Sequence, residues 1–344
     1  MSTSSKPLTT TTSKATSSTA STKKTTTTTP SKATSSSTST KVATTSSSSS
    51  STSTSTVRGS SVSSSSQATS TTSSAASPVA TSGNSTSFGV TPPLGKAGVA
   101  GGQSLPWTAS SLGWYYDWSP NPDNPYRGNI QAVPALWGLG RVNHDNDVAR
   151  FQAFQQLKPG SSAYVIGYNE PDWEGEGSSG VISPQDGAKA WDQYIAPHGV
   201  AGSILISPSL AKQKDEDWMQ PFLNAVQRKP DAINVHIFQN SIEGVKGVVE
   251  HYAKYALPMW ITEFACINYQ VQPTQYCDQN QTNTLINQAV SLFQSDPRIA
   301  AFAISDAYNG PYSALTPNHD GTKLSETGET YLAAVKATKT SNKK

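Results

Sequence analysis

The sequence predicts an α/β protein, a (β/α)8 TIM barrel preceded by a disordered Ser/Thr-rich tail. Three observations carry this reading. From residue 111 onward, apolar runs of strand length alternate with stretches of helix length, and strict alternation builds a parallel sheet with right-handed crossovers. The strand-like runs are nearly continuous in apolar residues, as strands buried on both faces are. The part of the chain with ordinary composition holds roughly 255 residues, a usual size for one barrel domain.

The first strand is read over 111–118, ending in the aromatic cluster Trp114-Tyr115-Tyr116-Asp117-Trp118 before a Pro/Asn turn. The second is Ala132-Val133-Pro134-Ala135-Leu136-Trp137-Gly138. A helix over about 145–157 follows, with Val148, Phe151, Phe154 and Leu157 on one face and Pro159-Gly160 as its stop. The third strand is Tyr164-Val165-Ile166-Gly167-Tyr168-Asn169-Glu170. Ser183-Pro184 opens the next helix, since proline suits the first helical position, and it runs through Trp191, Tyr194 and Ile195. The fourth strand covers 204–208 and is followed by a helix over about 218–226. The fifth, Ala232-Ile233-Asn234-Val235-His236-Ile237-Phe238, leads to a helix through Val245, Val249 and Tyr252. The sixth is Pro258-Met259-Trp260-Ile261-Thr262-Glu263-Phe264-Ala265, with a helix over about 280–293 behind it. The seventh covers 299–306, and a helix from about Glu326 through Val335 closes the chain. Seven strands are thereby assigned, and 312–324 stays ambiguous. An eightfold barrel is favoured over an open doubly wound sheet, with either one N-terminal strand unassigned or the barrel shortened by one.

Composition divides the chain into a stalk over 1–90 and a barrel domain over 91–340. No acidic residue precedes Asp117, and eight basic residues lie before position 97, leaving 17 basic and 23 acidic residues after it. The overall +2 is therefore a basic tail joined to an acidic domain. So few large apolar residues cannot offset the ordering entropy of the tail, which reads as disordered. Its Ser/Thr richness with some proline matches an O-glycosylated, mucin-like stalk, and an unmodified linker is the plainer alternative. Nucleic-acid binding is not expected, because the tail's lysines are sparse and carry no interleaved aromatics. No strand is followed by a G-x-G-x-x-G or P-loop, which argues against nucleotide binding.

Glu170 and Glu263 each close an apolar strand-like run. A carboxylate there is costly among packed side chains unless something uses it, and in parallel barrels chemistry collects at the C-terminal strand ends. Two carboxylates reaching one rim are what glycosidic bond cleavage needs. The domain also holds all eight tryptophans, which suits an aromatic-lined carbohydrate cleft and equally an ordinary core. Five dispersed histidines lack metal-ligand spacing, so no metal and no cofactor is expected. Cys266 and Cys277 fall just after the second glutamate strand. A disulfide pinning that loop is the preferred reading and belongs to an oxidising compartment; two reduced buried thiols are the alternative.

Val165-Ile166-Gly167-Tyr168-Asn169-Glu170-Pro171-Asp172 resembles the N-E-P signature of retaining glycoside hydrolases with barrel folds, and Trp260-Ile261-Thr262-Glu263-Phe264 resembles their nucleophile strand. Together with Trp114-Tyr115-Tyr116, Val133-Pro134-Ala135-Leu136-Trp137-Gly138 and Asn234-Val235-His236, they resemble glycoside hydrolase family 128. That family comprises fungal-type β-1,3-glucanases, including the alkali-sensitive-linkage cell-wall proteins. The resemblance covers most of the chain after about residue 105. It implies Glu170 as general acid/base and Glu263 as nucleophile, with carboxyl groups about 5–5.5 Å apart for retention. In the clan these glutamates end strands four and seven, whereas the pattern above places them on the third and sixth.

The implied function is a retaining endo-β-1,3-glucanase acting on cell-wall β-glucan. The alternative is a non-catalytic glucan-binding or structural wall protein on the same barrel. Asn169 is placed to bond a sugar 2-hydroxyl, or else caps a turn. His236 is a cleft residue bonding the nucleophile or a sugar, or else a core histidine. Trp114, Tyr116, Trp118, Trp137 and Trp173 lie near strand ends, where two or three are expected to face the cleft. Asp306 and Tyr308 end the last strand at the same rim, where Asp306 binds sugar or else bonds a neighbouring loop. The acidic Asp172, Glu174 and Glu176 read as a solvated loop, or else as a wall of the cleft. The expected partner is wall β-glucan, with no membrane span and a monomeric state. A secreted, wall-associated location follows from the stalk and cysteines, although Met1 to Lys6 leads into more Ser and Thr rather than an apolar signal segment.

Overall fold

A strand of small residues completes the barrel. The computed structural model describes residues 89–122, 130–307, 310–317 and 321–341. In it β1 (Ala97–Ala100) pairs in parallel with β2 (Trp114–Tyr116) and with β9 (Ile299–Ser305). The sequence Ala-Gly-Val-Ala lacks the bulk that marks a buried strand, and packing explains why. A Cβ on Gly98 would lie 2.5 Å from the indole of Trp114, so the large ring inside the barrel demands a small neighbour. This is the strand that the apolar pattern does not reveal. The barrel is not shortened, and the described part of 312–324 forms turns and bends rather than a strand. Nearly all of the stretch read as a stalk, 1–88, lies outside the described residues.

The remaining strands are β3 (Gln131–Ala132), β4 (Tyr164–Ile166), β5 (Ile204–Ile206), β6 (Ile233–Gln239) and β7 (Met259–Asn268). One sheet runs β3-β2-β1-β9-β7-β6, and β4 pairs with β5. Parallel bridges from Ala135 to Ile166 and from Ile206 to Ala232 close the ring. Glu170 thus follows the fourth barrel strand and Glu263 lies in the seventh. A two-residue β8 (Gln275–Tyr276) turns back antiparallel on the end of β7.

The helices form the outer layer. They are α1 (Leu105–Thr108), α2 (Asp147–Gln155), α3 (Pro184–Ala190), α4 (Ala196–Val200), α5 (Met219–Ala225), α6 (Ile242–Ala253), α7 (Gln279–Ser295) and α8 (Glu326–Ser341). A π-turn over Trp191–Ile195 links α3 to α4. Side-chain caps set several starts: Ser183 accepts from the Asp186 N–H, Ser241 from Gly244, and Asp278 forms a reciprocal capping box with Gln281. On α2 the expected face drifts. At about 100° per residue, Val148 and Phe154 point about 120° apart, so Phe154 is buried while Val148 faces solvent.

Strand alternation sorts the core into two layers. Trp114, Tyr116, Tyr164, Ile166, Trp260 and small alanines fill the barrel interior. Tyr115, Val165, Leu205, Val235, Ile261 and Phe302 point outward into the larger layer under the helices. The N-terminal mouth is shut by residues 89–91, whose carbonyls accept from Trp260 Nε1 and the Tyr164 hydroxyl.

Candidate active site

One extra residue in β7 builds the site. Ile261 and Phe264 are three positions apart, yet their partners Val235 and Ile237 on β6, and Phe302 and Ile304 on β9, are two apart. Both Ile261 and Phe264 face the outer core. The bulge therefore turns Thr262 and Glu263 together toward the barrel axis, as bulges beside functional sites re-aim side chains. It also sets Glu263 in register with His236 of β6.

The Glu263 carboxylate is buried and held by donors on both oxygens. Oε1 accepts from the Tyr116 hydroxyl at 3.0 Å and from Trp118 Nε1 at 2.9 Å, and Oε2 from the Ser305 hydroxyl at 3.0 Å. His236 Nε2 stands 3.5 Å from Oε1. Glu170 follows β4 with φ 48°, a left-handed conformation that costs about 1–3 kcal/mol outside glycine. Its N–H donates to Ser209 Oγ and its carbonyl accepts from the Trp173 N–H, which fixes the turn and aims the side chain. His236 Nδ1 lies 2.8 Å from Glu170 Oε1, so a single buried imidazole touches both carboxylates.

The proton inventory follows from the hydrogen bonds. Thr262 Oγ1 donates to Asn234 Oδ1 at 2.6 Å, so its lone pairs accept from His236 Nε2, 3.0 Å away. Nε2 therefore carries a hydrogen. The contact between Nδ1 and Glu170 holds one more proton, on the imidazole or on the carboxyl. Burial raises the Glu170 carboxyl above its ordinary value against the pull of His236, and the charges of Glu263 and Asp172 add to the rise. Burial pulls the His236 imidazole down, but Glu263 and then Glu170 more than offset it, so it too ends raised. Burial, then Glu263, pushes the Tyr116 phenol well up, so it stays a donor.

Both glutamates lie in a cleft of about 810 Å³, within the size range of small-ligand sites. Trp118, Trp137, Asn169 and Trp173 line it, as do Arg150, Phe238 and Tyr269. The guanidinium of Arg150 rests over the Trp137 ring at 4.9 Å. Asn169 stands at the rim with its N–H on the Trp137 carbonyl and its own carbonyl taking the Ser179 hydroxyl. Trp173 is exposed, while Trp137 is nearly buried.

Several expected sugar contacts are placed elsewhere. Trp114 is fully buried in the barrel interior, with its N–H on the Lys96 carbonyl and its ring 4.7 Å from Trp260. It lies one inward layer below Tyr116 and cannot reach the cleft. Tyr116 and His236 are buried as well: Tyr116 donates to Glu263, and His236 contacts both glutamates. Asp306 is buried and accepts from the Leu315 N–H, so its carboxylate holds the following loop. Tyr308 lies outside the described residues. Cys266 and Cys277 are bonded, with Cα atoms 5.7 Å apart. Asp172 is no mere solvated loop residue, since its carboxylate accepts from the N–H groups of Ala211 and Lys212.

The family profile described as glycosyl hydrolase catalytic core matches residues 96–331. A GH128 subgroup VII oligosaccharide-binding protein from Cryptococcus neoformans is 39% identical at TM-score 0.68, covering 75% of this chain and 99% of that one. The chain belongs to glycoside hydrolase family 128. A second subgroup VII oligosaccharide-binding protein, from Trichoderma gamsii, is 36% identical at TM-score 0.68 over 73% of this chain and 97% of its own. Alkali-sensitive linkage protein 1 of Schizosaccharomyces pombe is 29% identical over 241 residues, which are 67% of this chain and 42% of that relative. The matched region is thus less than half of the relative's length. Family 128 also includes exo- and endo-β-1,3-glucanases, which at 20–23% identity share the fold.

Within this family 128 site, sequence reasoning missed Ser305, Thr262, Arg150, Phe238 and Tyr269. Ser305 had a signal, being a polar residue that ends an otherwise apolar run. Thr262 had none, because only the bulge turns it inward.

Proposed function

We propose that this chain binds short β-1,3-glucan chains in the cleft at the C-terminal mouth of the barrel. The observation that carries the reading is the aromatic lining: Trp118 and Trp173 stand in one cleft with the two glutamates, and Tyr269 stands on its wall, a combination that stacks on pyranose faces and bonds hydroxyls. The naming of two relatives at 36% and 39% identity as oligosaccharide-binding proteins supports it. A wall-associated, extracellular setting fits the Ser/Thr-rich sequence, the disulfide and the alkali-sensitive linkage relative.

A second reading, retaining hydrolysis, is favoured by the paired carboxylates themselves. Glu170 would pass its proton to the glycosidic oxygen while Glu263 attacks the anomeric carbon, releasing the leaving sugar and forming a glycosyl ester. Water, losing a proton to Glu170, would then cleave the ester and restore Glu263. This route needs the shared proton on Glu170 and a neutral His236. With the proton on His236, an imidazolium is clamped between two carboxylates and Glu170 is left as a carboxylate without a proton of its own to give.

Titration calorimetry with β-1,3-gluco-oligosaccharides, followed by chromatography of the same samples after long incubation, tests both. Binding without shorter products supports recognition alone. Shorter products that vanish in Glu170→Gln and Glu263→Gln support hydrolysis. Absence of any binding would refute the glucan assignment.

A further inference from the structure

One wall of the cleft is a hairpin that barrel closure does not require. β7 continues past its last pairing with β6, Cys266 opposite Gln239, and returns as β8, with Ile267 opposite Tyr276 and Asn268 opposite Gln275. Two fastenings hold it. The Cys266–Cys277 bond ties its base, and Asn240 Nδ2 donates to Gln275 Oε1 at 2.9 Å, joining it to the loop after β6. Its tip presents Tyr269, Gln270, Gln272 and Thr274 to the cleft.

Tyr269 is the informative residue. It is 42% exposed, yet its ring is braced edge-on by Phe238 at 5.5 Å, and Phe238 is braced in turn against His236 at 6.0 Å. A chain of three rings thus runs from the paired glutamates to an open aromatic face. The phenol is pushed up to about 12, by burial first, then by Tyr276, Glu170 and Glu263. It therefore stays neutral. Neutral amides beside it both donate and accept, as sugar hydroxyls require.

We infer that this hairpin carries a further sugar subsite, in which Tyr269 stacks on one neutral pyranose ring and Gln270 and Gln272 bond its hydroxyls. The disulfide keeps that wall standing beside the cleft. The inference rests on the glucan-binding reading above and adds to it a ligand length: the subsite is filled only by chains that extend beyond the glutamates.

The test is calorimetric titration of the full chain with β-1,3-gluco-oligosaccharides of increasing length, for the wild type, Tyr269→Ala, Tyr269→Phe and the double Cys266→Ser/Cys277→Ser variant. Tyr269→Ala should lose about three- to tenfold in affinity, the scale of one lost aromatic stacking contact, for long chains only. Tyr269→Phe should bind like the wild type, and the cysteine variant should show the same length-selective loss. If the cysteine variant does not fold, Tyr269→Ala alone decides. Wild-type affinity at every length in Tyr269→Ala overturns the subsite, and so does an equal loss at all lengths. A wild type that binds no member of the series overturns the glucan reading, and the subsite with it.

Discussion

Removing the Glu263 charge and removing its oxygens should have very different consequences for the fold. In Glu263→Gln the amide oxygen can take the place of Oε1 and still accept from Tyr116 and Trp118, which stand at 3.0 and 2.9 Å. The amide nitrogen then faces Ser305, whose hydroxyl turns to accept. Three charge-assisted bonds become neutral ones, a loss of about 1 kcal/mol each. Relief from burying a charge offsets part of this. The net change should be about 1–2 kcal/mol, and a domain of this size loses about 2–4 °C of Tm per kcal/mol. Glu263→Ala instead leaves the Tyr116 hydroxyl and the Trp118 N–H without an acceptor, at about 1–3 kcal/mol each, and adds a void. We expect a loss of about 3–6 kcal/mol and a Tm fall of about 10–20 °C. Thermal melts followed by circular dichroism at pH 7 separate the two. Should the alanine variant melt within a few degrees of the glutamine variant, the donors around Glu263 are not what the geometry says they are.

Further outcomes follow from other parts of the structure. The Glu170 carboxyl is raised above its ordinary value of 4.5, so the native state holds its proton more tightly than the unfolded chain does. Its stabilising contribution is full below about pH 4.5 and lost as pH rises through the higher native value. Glu170→Gln should flatten that stretch of the Tm–pH curve, and an unchanged slope would contradict the burial argument. Gly98→Ala places a Cβ 2.5 Å from a Trp114 ring that Trp260 and the Lys96 carbonyl hold in place. Overpacking of this kind costs about 1–3 kcal/mol, which a lowered Tm should show. Trp173→Ala removes an exposed cleft aromatic; oligosaccharide affinity should fall about three- to tenfold with Tm unchanged, and equal affinity would remove Trp173 from the site.

The fold was legible wherever burial demands bulk. Strands such as Tyr164–Ile166 and Ile233–Gln239 announce themselves through β-branched and aromatic residues, and the Glu170 and Glu263 signals stand out against such runs. β1 was hidden for the converse reason: its inward Gly98 faces the Trp114 indole, so packing selects a residue without a side chain there. Trp114 shows a second limit. It shares a strand with Tyr116 and faces the same way, and only the depth along the barrel axis separates a floor residue from a partner of Glu263. Sequence order carries no such depth until the register with β1 and β3 is known. The hairpin was half legible, since the cysteine pair marked its base, but the residues at its tip have no periodicity to place them against the cleft.

The relation between binding and hydrolysis in this barrel then narrows to one proton. The bulge in β7 commits Thr262 to Asn234 and so keeps a hydrogen on His236 Nε2. That leaves Nδ1 as the variable position, 2.8 Å from Glu170. The groups that decide it act through His236: burial disfavours a charged imidazole, and Glu263 and then Glu170 favour it. A ligand that excludes water from the cleft strengthens both the burial and the charge effects at once. The same set of side chains can therefore serve as a clamp or as an acid, depending on which of the two effects the bound sugar favours. His236→Asn, with an amide too short to bridge both carboxylates, removes this choice. It should weaken the tie between Glu170 and Glu263 while leaving Trp118, Trp137 and Trp173 in the cleft, so oligosaccharide binding persists. A variant that lost binding in parallel with the imidazole would show instead that the ligand, rather than the glutamates, is what His236 holds.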